Sequence, residues 1–169
     1  MMMPATQLRH VRFWLLIFMA GLIVSGLTAL PLQWEIDQVK LVIDSTPWLH
    51  DFAPGLIDWL IYVHAGLTAT YQAYSFMAVG TDWLAFAHII IAIAFIGPLR
   101  DPVRNVWVIE FGMIACVLVI PAALIFDLLR DLPLLWLLID CSFGVIGIIP
   151  LLLAYRLVRP VARSLSPAH

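Results

Sequence analysis

Charge is scarce in this chain. Of its 169 residues only 12% are Asp, Glu, Lys or Arg, while 63% are hydrophobic and the mean hydropathy is +1.01. Too few polar side chains remain to cover a water-exposed surface, which excludes a soluble globular fold. Nine basic and eleven acidic residues leave a formal net charge of -2. No block of five or six like charges occurs, so nothing points to a nucleic-acid partner. Cysteine is rare as well: Cys116 and Cys141 both fall inside apolar runs, which excludes a structural disulfide and reads them as small buried hydrophobes. Catalytic signatures are missing, with no His-Glu-x-x-His, no Gly-x-Ser-x-Gly, no phosphate loop and no Cys-x-x-Cys. Single residues contributed by several helices are the remaining route to chemistry.

What the chain does have is long apolar runs. Phe13 to Leu30 holds no charge and ends at Pro31. At about 1.5 Å per residue it covers roughly 27 Å, close to a hydrocarbon core of about 30 Å. It exceeds the usual apolar core of a signal peptide and lacks a small-x-small site after it, so it reads as an uncleaved anchor. Similar runs predict spans at about 12–31, 83–98, 103–126 and 133–155. Thr81-Asp82 reads as a cap for the short second span, and Asp101-Pro102 as cap and first-turn proline for the third. Pro121 should kink the third helix, while Pro133 opens the fourth and Pro150 interrupts it. The fold class expected is an all-α integral membrane protein, a four-transmembrane-helix bundle in one membrane domain covering 1–169.

Between the first two spans lies an acidic stretch, 34–78, carrying Glu35, Asp37, Asp44, Asp51 and Asp58 against Lys40 alone. Ile36, Val39, Val42 and Ile43 recur at helical spacing, Ser45-Thr46-Pro47 reads as a cap, and Pro54-Gly55 opens a second helical stretch through about Phe76. Residues 59–79 are apolar enough to rival a span. Yet His64, Thr68, Tyr71, Gln72 and Ser75 form a single polar stripe, and Trp48, Trp59, Tyr62, Tyr71 and Tyr74 suit the headgroup region. Interfacial amphipathic helices are therefore expected here, on the extracytoplasmic side. Four spans place Arg9, Arg12, Arg100, Arg104, Arg156, Arg159 and Arg163 together, with Lys40 and Arg130 opposite. That asymmetry puts both termini in the cytoplasm of a bacterial-type cell inner membrane.

Helix packing is expected at Gly21, Ser25 and Ala29, which recur every four residues, and at Gly144 and Gly147. Ionisable groups at membrane depth are the functional candidates: His88, Glu110 and Asp140, with His64 on the interfacial helix as a possible third ligand. His88 shares a face with Ala85 and Ala92, and Asp140 with Gly144 and Gly147, at matched depths of roughly 10 Å. The pair reads as an interhelical hydrogen bond fixing the bundle, with a ligand or proton-relay role, or no contact at all, as the alternatives. Glu110 is expected to snorkel or to pair with Arg104 or a tail arginine.

Arg12-Phe13-Trp14 followed by Ser25-Gly26-Leu27 resembles the opening helix of bacterial b-type cytochrome subunits over about twenty residues. In that family a histidine ligand precedes the tryptophan, and Phe13 stands there in this chain. The resemblance implies haem b. Bis-histidine ligation needs two inward histidines, for which only His88, with His64 as second, is on offer. The functional expectation is a non-enzymatic component that packs with the bilayer, with other membrane proteins or with itself, holding no metal and no cofactor. A haem- or quinone-linked redox or ligand-binding protein is the alternative, and a small transporter the next.

Overall fold

The computed structural model describes residues 3–165, which are almost wholly helical and contain no strand among them. The helices are α1 (Ala5–Ala29), α2 (Leu32–Ser45), α3 (Trp48–Phe52), α4 (Pro54–Ala73), α5 (Val79–Ala94), α6 (Ile96–Arg100), α7 (Val106–Leu128) and α8 (Leu134–Leu165). Four helical stretches are long and apolar enough to cross a membrane: Ala5–Ala29, Ser75–Arg100, Val106–Leu128 and Leu134–Ser164.

Prolines mark most of the breaks. Pro31 separates α1 from α2, Pro47 precedes α3, Pro54 fills the first turn of α4, and Pro133 precedes α8. A missing N–H costs nothing in a first turn, where that donor has no helical partner. Pro121, Pro150 and Pro160 instead lie inside α7 and α8.

Three boundaries differ from the sequence reading. The helical stretch expected through Phe76 stops at Ala73, where Tyr74 turns extended (φ -141°, ψ 68°) before a 3-10 turn at Ser75–Ala78. The next helix is already under way at Val79, so Thr81 and Asp82 lie inside it; Thr81 Oγ1 donates to the Ala78 carbonyl at 2.8 Å rather than capping a new start. Similarly, Asp101 closes α6, and Asn105 stands before α7 with its amide bonded to the Gly97 and Asp101 carbonyls.

Packing follows a simple order, in which α1 runs between α5 and α8, and α8 runs along α7. The main buried cluster gathers at one end, from Val11 and Leu15 of α1, Phe95 after α5, Val108, Ile109 and Cys116 of α7, and Leu151, Ala154 and Val158 of α8. A buried leucine makes about 40–60 atomic contacts, so such a cluster holds its helices by dispersion even where the outer surroundings are themselves apolar.

Glycines set the closest approaches. A Cβ at Gly112 would stand 2.6 Å from Phe95 Cζ, and one at Gly26 would stand 2.9 Å from His88 Cβ and 3.0 Å from the Ala85 carbonyl oxygen. At Gly144 it would overlap the Cys116 carbonyl oxygen, and at Gly147 it would meet Cys116 Sγ at 3.1 Å. Gly21 differs: it is exposed, and nothing lies within 4 Å of its Cβ position. The buried face of α1 runs through Val11, Leu15 and Gly26, and at 100° per residue Gly21 points away from it, with Ser25 and Ala29 half-buried beside it.

Basic residues collect at the end that holds this cluster. Arg12 Nε donates to the Leu99 carbonyl at 3.0 Å, where it meets the free carbonyls ending α6. Gln7 Nε2 donates to the Leu157 carbonyl at 2.8 Å, tying α1 to the last turns of α8.

Candidate functional site

At the other end, α2 and α4 pack against each other with α3 as the bend. Gln33 and Asp37 lie one turn apart on α2, and His64 and Thr68 one turn apart on α4, so polar rungs meet across the hairpin. Gln33 Nε2 donates to Asp37 Oδ1 and to Thr68 Oγ1, both at 2.9 Å. His64 Nε2 lies 3.0 Å from the same Asp37 oxygen. An ionised carboxylate only accepts, so Nε2 carries a proton here. These four residues, with Tyr71 and Gln72, line a cavity of about 350 Å³. Gln33 Oε1 is buried and has no hydrogen-bond partner among the described residues. The stripe read from the sequence on α4 is thus turned onto α2, except that Ser75 falls beyond the helix in the 3-10 turn.

The hairpin buries Ile36 and Ile57, and its surface mixes exposed polar residues such as Gln38, Asp44, Asp51 and Asp58 with large apolar ones. Trp34, Leu41, Phe52 and Tyr62 are 62%, 61%, 82% and 69% exposed. A second pair, His50 Nε2 to Asp58 Oδ1 at 3.0 Å, links α3 to α4 on the surface.

The remaining candidates are dispersed. His88 and its neighbours Ala85 and Ala92 do face a helix, but that helix is α1, against Gly26. Its Nδ1 lies 2.8 Å from the Leu84 carbonyl. Gly144 and Gly147 of α8 face Cys116 of α7. Asp140 lies beside Asp127 and Trp136. Among the described residues no hydrogen bond or ion pair joins His88 to Asp140. Equal depth does not make helices adjacent, and here α1 runs between α5 and α8.

Glu110 is held by Tyr155, whose hydroxyl donates to Oε1 at 2.8 Å, rather than by Arg104 or a tail arginine. The two lie in a cavity of about 260 Å³ with Val106, Arg159, Ala162 and Arg163. Arg159 stacks over the Tyr155 ring with its Cζ 5.5 Å from the centroid.

One residue escaped sequence reasoning. Asp127 reads as part of a solvated turn with Arg130 and Asp131, yet it is buried, with Oδ2 unpartnered. The turn closes on its carbonyl, which accepts from the Arg130 and Leu132 amides while Asp131 adopts φ 54°, and Asp140 of α8 lies beside its side chain. Nothing local in the sequence signals that closure.

Comparison with known proteins adds no relative. None of the protein families, curated proteins or solved structures compared with the chain matches it. The chemistry must be read from the sites alone. Among the described residues no three His, Cys, Asp or Glu side chains gather as metal ligands. In the α2–α4 cavity the Thr68 hydroxyl accepts from Gln33, and among the described residues no hydrogen bond joins it to His64. They present hydrogen-bonding atoms to whatever occupies the cavity.

Proposed function

We propose that this chain is a multi-pass inner-membrane protein of bacterial type, with both termini cytoplasmic, and that it is a non-enzymatic component packing with other membrane proteins through the α2–α4 hairpin. The four long apolar helices and the seven-to-two asymmetry of basic residues support the placement. The observation that carries the role is the set of large apolar side chains that the hairpin leaves exposed. Gln33, Asp37, His64 and Thr68 hydrogen-bond to one another between α2 and α4, while Trp34, Leu41, Phe52 and Tyr62 stand exposed. Exposed apolar side chains mark interaction surfaces when they gather, and large aromatic ones are enriched at protein interfaces.

Site-specific photo-crosslinking in native membranes tests this role. A photoreactive side chain at Leu41 or Tyr62 should give discrete protein adducts, and one carried by a second 19.0 kDa copy would identify self-association as the form of packing. Adducts to lipid alone from both positions would contradict the role. Ligand binding in the α2–α4 cavity is a second reading, favoured by the buried Gln33 Oε1, unpartnered among the described residues.

A further inference from the structure

The cavity around Glu110 and Tyr155 lies at the basic end, away from the hairpin. α8 is 32 residues long, which gives about 48 Å by helical rise, well beyond a hydrocarbon core of about 30 Å. On the membrane reading proposed above, its last turns stand at headgroup depth. Arg159 and Arg163 are one turn apart there and share a face of α8. Both line the cavity, and among the described residues neither has a salt-bridge partner. The one acidic side chain lining the cavity, Glu110, takes the Tyr155 hydroxyl at 2.8 Å. Stacking on Tyr155 fixes the Arg159 guanidinium in orientation. Val106 and Ala162 add apolar lining.

Two guanidinium groups without acidic partners among the described residues, one of them oriented by stacking, suit a phosphate, which accepts forked N–H donors pairwise. The volume, about 260 Å³, is smaller than a drug-sized pocket and fits a headgroup rather than a whole ligand. We infer that Arg159 and Arg163, with Tyr155 as positioning residue, form a binding site for the phosphodiester of an anionic phospholipid at the cytoplasmic end of α7 and α8. The apolar lining receives the start of the glycerol, and the lipid's chains run along the apolar faces of the same helices. Glu110 sits deeper along α7 and opposes the anion, which restricts the phosphate to the Arg159–Arg163 side.

The experiment titrates purified full-length protein in mild detergent with short-chain phosphatidylglycerol, phosphatidylcholine, glycerol phosphate or inorganic phosphate, reading thermal shift and lipid adducts by native mass spectrometry. The expected result is saturable binding of phosphatidylglycerol, weakened about tenfold by Arg159→Ala with Arg163→Ala. The control pair Arg104→Ala with Arg156→Ala removes the same charge from exposed positions outside the cavity, and should change binding less than twofold. Glu110→Gln should tighten binding. If the alanine pair does not fold, Arg159→Lys with Arg163→Lys keeps the charge and should still weaken binding severalfold through loss of the forked geometry. Equal losses from the two alanine pairs, equal binding of phosphatidylcholine, or equally tight binding of free phosphate would overturn the site. Binding in detergent is independent of sidedness and of the hairpin's partners. Retention of the wild type in alkaline-washed membranes tests the membrane reading separately.

Discussion

Replacing Gly144 with alanine places one methyl group at the tightest contact between α7 and α8. That methyl would overlap the Cys116 carbonyl oxygen and stand 3.4 Å from Val119 Cβ. Overpacking costs about 1–3 kcal/mol, while alanine regains about 1 kcal/mol of helix propensity. Because the obstructing atom belongs to the backbone and cannot turn aside, the upper part of that range applies, and the net loss is about 1–2 kcal/mol. Gly21→Ala is the matched control, since open space surrounds that position and only the propensity gain of up to about 1 kcal/mol remains. The two variants should therefore differ by about 2–3 kcal/mol, or roughly 4–12 °C in thermal midpoint for a chain of this size. Intrinsic tryptophan fluorescence during heating in one detergent reads the difference. Equal midpoints for the two variants would refute the packing argument, and a more stable Gly144→Ala would refute it outright.

Further outcomes follow from the other contacts. Gly26→Leu should lower the midpoint more than Gly21→Leu, because only the former meets His88 and Ala85; equal loss would mean that α5 does not pack there. Tyr155→Phe should cost about 0.6 kcal/mol and at most about 1.7 kcal/mol by denaturant titration, the range for interhelical polar contacts in membranes. Asp37→Ala and His64→Ala should each increase proteolysis of the hairpin, and the double variant should cost less than the sum of the two, since both remove one shared contact. Strict additivity would show that the pair does not couple. The purified protein should give no Soret band if it is the cofactor-free component proposed above; a Soret band would replace the non-enzymatic reading with a haem protein.

The existence of the four long apolar helices and several of their breaks were legible because apolar runs and prolines act locally, while the extent of α8, which runs through Pro150 and Pro160 to Leu165, was not. Pro54 in a first turn and Pro133 before α8 are decided by a missing N–H, which needs no tertiary information. The Thr81-Asp82 boundary failed because the same side chains serve a cap or back-bond within a helix, and the choice depends on the break at Tyr74. Faces were legible, while partners were not. Small residues at Ala85, Ala92, Gly144 and Gly147 mark sides where another helix can approach, but only the order of helices decides that these are α1 and α7. The α2–α4 cavity was half legible, its α4 stripe visible at helical spacing and its α2 partners Gln33 and Asp37 hidden among ordinary surface residues. Asp127 was hidden because its side-chain neighbour Asp140 comes from the next helix, which its own stretch of sequence does not reveal.

The central claim is that the hairpin and the arginine-rich end lie on opposite sides of a membrane, and thiol labelling of intact cells tests it directly. Cys116→Ala and Cys141→Ala remove the native thiols, after which Asp51→Cys in α3 and Arg104→Cys before α7 each supply one at an exposed position. Arg104 is preferred to Asn105, whose amide holds the Gly97 and Asp101 carbonyls. An impermeant maleimide should label Asp51→Cys in intact cells and Arg104→Cys only after the membrane is opened. Labelling of both from the same side would contradict the four-span account.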